Sequence, residues 1–290
     1  MLHAVGSQRQ PAIYPYLFNV YPTRVFEAEL LYLARHFTVV PLSRIVERFR
    51  AGDVGRSREI ALTFDDGLRN NATFGYPILQ RLGLPATFFV CPGLIETGRW
   101  QWPYEAAARL TRLSSAERVD LLRQLGCPND TISEALSWMK SLNTAVRLTI
   151  DDRLRNATKT FVPTVDERDL FDTMTWQDLR SLDPEIITVG SHSMTHPILG
   201  KTDPPQLTIE IVESRRVLEQ QLQRPTEYFC YPDGTYNDYA LRLVRSHYRA
   251  AVSTRPGFVS ATDDLHLLPR IGGGEELVHD LAWRLHRPRS

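Results

Sequence analysis

The chain has 290 residues, 42% hydrophobic and 23% charged, with no low-complexity tract, so a single unit over 1–290 with an insertion is expected. Its 34 basic residues balance its 34 acidic ones, which removes the basic excess behind non-specific nucleic-acid binding and excludes nucleic acid as an expected partner. No run approaches a membrane span, Met1-Leu2-His3-Ala4-Val5-Gly6 does not read as a signal peptide, and Cys91, Cys127 and Cys230 fit a reducing compartment; a cytoplasmic location is expected, with an extracytoplasmic one open if a leader has been removed.

In chain order, Phe26, Leu30, Leu33 and Phe37 recur at helical spacing, which predicts an amphipathic helix from about Arg24 to His36 capped by Thr23. Thr38-Val39-Val40 is a short strand, and Ser43 opens a helix that Gly52 can close. Glu59 to Phe64 reads as a strand buried on both faces, as in a parallel sheet. A helix over about 71–82 stops at Gly83 and leads into the β-rich Ala86-Thr87-Phe88-Phe89-Val90.

Between about residues 99 and 171 the alternation stops, and helix-favouring stretches at 105–113, 116–125 and 132–139 predict a helical insertion on the loop-bearing rim. Thr175 with Asp178 resembles a capping box. Strands at Ile186–Val189, Tyr228–Tyr231 and Ala250–Ser253 then alternate with helices within 206–222 and over 237–247, the crossovers that parallel strands require.

The chemistry gathers at strand ends. Asp65 and Asp66 close the apolar run Ile60–Phe64 before Gly67, and two carboxylates sharing a site call for a proton or a cation. His192 and His196, in Ser191-His192-Ser193-Met194-Thr195-His196-Pro197, follow another apolar strand and Gly190. In parallel α/β folds such ends share one face, and two imidazoles with one carboxylate make a three-ligand metal set with a position left open. Asp151-Asp152 and Asp263-Asp264 lie in polar surroundings and are read as solvated surface, and Cys91 and Cys230 as buried apolar residues.

A third motif, Tyr228-Phe229-Cys230-Tyr231-Pro232-Asp233-Gly234-Thr235-Tyr236, joins these two. Together they resemble the polysaccharide deacetylase family, carbohydrate esterase family 4. The resemblance implies an α/β fold, a distorted (β/α) barrel of about seven strand-helix units with the helical insertion. It implies a metal-dependent hydrolase that removes N-acetyl groups from an amino sugar. In the family pattern Asp65 is the general base, Asp66, His192 and His196 hold the ion, and the Asp233 N–H is the oxyanion donor. The ion expected is Zn²⁺, although such a set also accepts Co²⁺, Ni²⁺ or Mn²⁺.

The sequence departs from the commonest family pattern at Cys230, which occupies the place of an arginine, and at Asp233, which occupies that of an aromatic residue. The permuted exopolysaccharide and amino-sugar branch has a later Leu-Pro-Arg, matched by Leu268-Pro269-Arg270, so Arg270 is the candidate partner of Asp65. That branch also carries an N-terminal Tyr-His-x-Val strand, which Leu2-His3-Ala4-Val5 resembles. His3 is therefore the candidate acid; Leu265-His266 is polar, and His279 and His286 are assigned to a final helix. Tyr231, Pro232, Tyr236, Trp100 and Trp102 are candidates for contact with the sugar, with core packing as the equal alternative for the aromatic rings. Hydrolysis of another amide, such as a formamide, and a metal-holding carbohydrate-binding relic without turnover stay open as alternatives.

Overall fold

Strands buried along their whole length order the molecule, and helices cover them. A computed structural model of the chain describes residues 1–6, 20–54, 58–273 and Leu285. The strands are β1 (Ala4–Gly6), β2 (Val20–Pro22), β3 (Thr38–Val39), β4 (Glu59–Ile60), β5 (Leu62–Phe64), β6 (Ala86–Val90), β7 (Ile187–Ser191), β8 (Tyr228–Cys230), β9 (Ala250–Pro256) and β10 (Leu268–Arg270). The last six form one sheet in the order β5-β6-β7-β8-β9-β10, with every neighbouring pair parallel. Every residue of β5, β6, β8 and β10 is buried, as strands covered on both faces must be.

The chain's first residues tie the two edges of this sheet together. Leu2 donates to Thr63 O (2.9 Å) and accepts from Asp65 N (2.9 Å), while Met1 donates its N-terminal ammonium to Ile271 O (2.9 Å) and accepts from Gly273 N (2.8 Å). The strand ring is thus completed by Met1–Leu2 between β5 and β10, and the architecture is an α/β barrel with surrounding helices. Inside the main core Phe64 meets Phe88 edge to face at 5.0 Å and Phe26 of the helix Thr23–His36 at 5.8 Å.

Several boundaries differ from the sequence reading. Thr23 is the first residue of its helix, and the cap position falls on Pro22, which pairs with Gly6 through β2. The Glu59–Phe64 run is split at Ala61, because Glu59 and Ile60 pair with β3 while Leu62–Phe64 joins the main sheet. The helix within 206–222 runs from Pro204 to Leu222 and contains a π segment, Ile209–Glu213.

Between β6 and β7 lie the helices Pro92–Thr97, Trp102–Thr111, Ser115–Leu125, Ile132–Ser141, Thr144–Ala157, Val165–Phe171 and Trp176–Ser181. Those from 102 to 171 bury a core of their own around Ala106, Leu110, Leu122, Ala135, Met139, Leu154 and Phe171. Ser114 with Glu117, Thr164 with Glu167 and Thr175 with Asp178 form capping boxes that fix three of the helix starts. The segment that returns from this layer is stitched to the loop after β5, with Arg69 N donating to Asp172 O (2.7 Å) and Met174 N to Gly67 O (2.9 Å).

Asp151 corrects the reading of its pair as solvated surface: it is 4% exposed and paired with Arg147 on the next helical turn, whereas the Asp152 side chain is 69% exposed. Asp263 and Asp264 are partly exposed and paired with Arg255 and Arg245. Among the described residues no helix is long and apolar enough to cross a membrane. His279 and His286 lie outside the described residues.

Candidate metal centre

Three strand ends meet at one mouth of the barrel, those of β5, β7 and β8. Four of the five non-glycine residues with positive φ among the described residues are there: Asp66 (75°), Ser193 (66°), His196 (59°) and Asp233 (57°). Each such residue costs roughly 1–3 kcal/mol, and clustering of this kind marks a site where side-chain direction outranks backbone comfort. At Asp66 the left-handed turn sends its carboxylate one way and that of Asp65 another.

Asp66 Oδ1 stands 3.5 Å from His192 Nε2 and 3.4 Å from His196 Nε2. His192 is oriented through its other nitrogen, Nδ1, which lies 2.8 Å from Cys230 O; a carbonyl only accepts, so the proton sits on Nδ1 and the Nε2 lone pair faces Asp66. Donor atoms about 2.0–2.1 Å from a tetrahedral ion are about 3.3 Å apart, so these spacings suit an ion at their centre better than direct hydrogen bonds. The three donors lie within 4.8 Å of one another, and the imidazole–carboxylate set fits a divalent metal of the zinc type.

The loop carrying both histidines is held from below. Glu210, fully buried in the π segment, accepts from Met194 N (3.0 Å), Thr195 N (2.8 Å), Thr195 Oγ1 (2.7 Å) and Gln206 Nε2 (3.0 Å). His196 N donates to Ser193 Oγ at 3.0 Å, closing the turn between the two imidazoles.

Asp65 has a different partner. Arg270 clamps it with two parallel bonds, Nη1 to Oδ1 and Nη2 to Oδ2, both 2.7 Å, and both side chains are buried. Burial alone would raise the Asp65 pKa, but the guanidinium charge and its hydrogen bonds outweigh it and hold the carboxyl well below the usual range. The same guanidinium donates from Nε to Ser253 O (2.7 Å) and from Nη1 to Thr63 Oγ1 (3.1 Å), and Nη2 lies 3.2 Å from Cys230 Sγ. The small thiol at 230 leaves room for an arginine that arrives from β10.

The polysaccharide deacetylase family matches residues 53–124 and 140–252, more than half of the sequence. The chain belongs to this family. Among curated proteins it is similar to YxkH of Bacillus subtilis (strain 168), named as a polysaccharide deacetylase, with 25% identity over 99 residues; that match spans only 34% of this chain and 36% of YxkH. The Streptococcus pyogenes deacetylase PplD, solved with acetate, superposes with a TM-score of 0.66 at 19% identity, covering 98% of this chain and 96% of PplD. IcaB from Ammonifex degensii superposes with a TM-score of 0.63 at 16% identity, covering 98% and 95%. These likenesses establish the polysaccharide deacetylase barrel.

The remaining candidates from the sequence fall into two groups. His3 joins the centre, with Nδ1 3.3 Å from Asp66 Oδ2; burial depresses its pKa, but the hydrogen bond and charge of Asp66 outweigh burial and raise it. The Asp233 carboxylate is paired with Lys140 of the helix Ile132–Ser141, and its charge reaches His196. Tyr236, 37% exposed, lies on the rim against Tyr231. Tyr231 and Pro232 are buried, and Trp100 is 6% exposed, packed on Phe161 and Phe171 with its indole N–H donating to Asp172 Oδ1 (2.7 Å). Trp102 is equally enclosed, with the Arg147 guanidinium 4.9 Å over its ring. The two tryptophans belong to the core of the helical layer, and of the five candidates for sugar contact only Tyr236 offers substantial surface.

Sequence reasoning missed Tyr104 and Glu210. Tyr104 donates from its hydroxyl to Asp66 Oδ2 at 2.6 Å. Nothing local to Trp102-Pro103-Tyr104 signals this, because the contact spans the helical layer. Glu210 did carry a signal, an acid between Ile209 and Ile211 on a helix whose Leu207, Ile211 and Leu218 are buried.

Proposed function

We propose that the chain is a metal-dependent hydrolase that removes the N-acetyl group of an amino sugar, releasing acetate and a free amine. The observation that carries this reading is the division of the adjacent carboxylates: Asp66 faces the Nε2 atoms of two imidazoles, while Asp65 is kept ionised by Arg270 and stays outside that donor set. Asp66 Oδ1, His192 Nε2 and His196 Nε2 would hold the ion. When bound, the ion supplies a Lewis acid that lowers the pKa of water towards about 7 and polarises a carbonyl oxygen.

The protein groups perform the rest. Asp65, whose oxygens each keep a lone-pair site beyond the Arg270 bonds, accepts a proton from the attacking water. The Asp233 N–H donates to the oxygen that gains charge as the carbonyl carbon becomes tetrahedral. His3, beside Asp66, delivers a proton to the nitrogen as the C–N bond breaks. A new C–O bond replaces the amide bond, and the proton taken from water balances the one given to the amine. Tyr236, exposed beside Tyr231, and Lys140, paired with Asp233, would lie towards the rest of the sugar.

The test is acetate release from N-acetylglucosamine oligomers by protein loaded with Zn²⁺ or Co²⁺, beside Asp65→Asn and His192→Ala variants with checked folds. Both variants are expected to fall by about 100–10,000-fold, in line with loss of a base or of the ion's site. A folded Asp65→Asn protein with undiminished turnover would remove Asp65 from the mechanism. Formate released in place of acetate from matched substrates would replace the reading with deformylation.

A further inference from the structure

The ligand carboxylate has two oxygens in unlike surroundings. Oδ1 faces His192 and His196, and Oδ2 accepts the Tyr104 hydroxyl at 2.6 Å, with His3 Nδ1 more distant at 3.3 Å. A carboxylate paired in this way only accepts, so the phenol is the donor, and 2.6 Å is in the range of strong O–H···O⁻ bonds. Tyr104 is itself held: it is 6% exposed, its ring is stacked on Phe171 at 5.2 Å and 19°, and it sits on the helix Trp102–Thr111. Gln101, at the cap of that helix, places Nε2 3.5 Å from the carbonyl oxygen of Asp66. The start of the helical layer therefore grips the residue at both its backbone and its side chain.

We infer that Tyr104 is a positioning residue for the metal site, engaging Asp66 Oδ2 so that the carboxylate offers the ion Oδ1 alone. The inference rests on the metal-site reading given above. A carboxylate pinned through one oxygen binds in a monodentate way and suits a four-coordinate ion with an open position. Freed of the phenol, the same carboxylate can turn both oxygens to the ion, which raises the coordination number and suits larger, oxygen-seeking ions such as Mn²⁺. Tyr104 thus sets both the strength of binding and the preference among ions, and it makes the helical layer part of the site.

The test uses metal-free full-length protein titrated with Zn²⁺, Co²⁺ and Mn²⁺ against a chromophoric chelator, comparing wild type with Tyr104→Phe, which keeps the stacked ring. Zn²⁺ affinity is expected to fall by about 10–100-fold, the usual consequence of removing such a supporting contact. Mn²⁺ affinity is expected to fall less, so the Zn²⁺/Mn²⁺ preference narrows, and the visible absorption of the Co²⁺ protein weakens as its coordination number rises. Phe171→Leu, which loosens the ring but keeps the hydroxyl, should move all readouts the same way by a few-fold and serves if Tyr104→Phe does not fold. Affinities unchanged within a factor of two, or an equal loss for all three ions with an unaltered Co²⁺ spectrum, would overturn the inference. A wild-type protein that binds none of the ions would overturn the metal-site reading and this inference with it.

Discussion

Replacing Arg270 by Met tests the electrostatics of the site most directly, because it removes the charge while roughly keeping the side chain's volume. In the native protein Asp65 is 2% exposed and its carboxylate is ionised because the guanidinium is 2.7 Å from each oxygen. Breaking a buried pair from one side typically costs about 3–5 kcal/mol, since the remaining charge is left without a partner. The acceptors Ser253 O and Thr63 Oγ1 lose their bonds as well, so the upper half of that range is expected. A protein of ordinary stability, about 5–15 kcal/mol, survives such a loss, which urea unfolding would read as a lower midpoint with an unchanged slope. With Arg270 gone, burial loses its main opponent and only the weaker charges of His192 and His3 remain against it, so the Asp65 pKa rises and deacetylation should fall towards the level of Asp65→Asn. Arg270→Lys keeps the charge but not the fork, and should recover part of the stability and little of the rate. An Arg270→Met protein as stable and as active as wild type would refute the assignment of Asp65 as an ionised base supported from β10.

Glu210→Gln should loosen the histidine loop, since an amide presents N–H groups to donors that now meet carboxylate oxygens; a loss of about 1.5–3 kcal/mol is expected. Hydrogen exchange at the Met194 and Thr195 amides would read it, and unchanged protection there would count against the role given to Glu210. Glu105, buried between Arg155 and Arg109, supplies a pH test outside the proposed metal-binding set. Burial pushes its pKa up, but the two guanidinium groups outweigh burial and hold it below the ordinary value of 4.5, so the unfolded chain binds more protons in that window. Its stabilisation is present above about pH 4.5 and is lost as pH falls through the lower folded value. Glu105→Gln should therefore lower stability at pH 7 by about 1.5–3 kcal/mol and flatten the acid limb of the stability curve; a limb as steep as wild type would contradict this account.

The barrel was legible because its strands are near-continuous apolar runs that end abruptly in polar residues, Phe64 before Asp65, Ser191 before His192 and Cys230 before the Tyr231-Pro232-Asp233 turn. The helix Thr144–Ala157 was not, and the reason is physical. Its inward face carries Arg147 and Asp151 one turn apart among Ile150 and Leu154, and periodicity analysis counts a charged pair as surface even where each charge is buried by the other. Tyr104 was invisible for another reason: its partner is 38 residues away, and only the packing of Trp100 and Tyr104 on Phe171 brings the hydroxyl to Asp66.

The most informative local detail is the backbone of Asp66. Two adjacent residues on a regular strand point to opposite faces, which would leave one carboxylate outside the barrel mouth. A φ of 75° at Asp66, followed by 65° at Gly67, breaks that alternation at the end of β5 and keeps both carboxylates inside, on different partners. Gly67 is where this costs least, since a Cβ there would meet Val90 at 3.0 Å as well as strain the turn. The strain at Asp66 has to be held by contacts, and three of them, the Tyr104 hydroxyl, the Gln101 amide and the strap from Met174 to Gly67 O, come from the segment between β6 and β7. The helical layer therefore does more than border the site: it maintains the turn that makes two neighbouring aspartates chemically different.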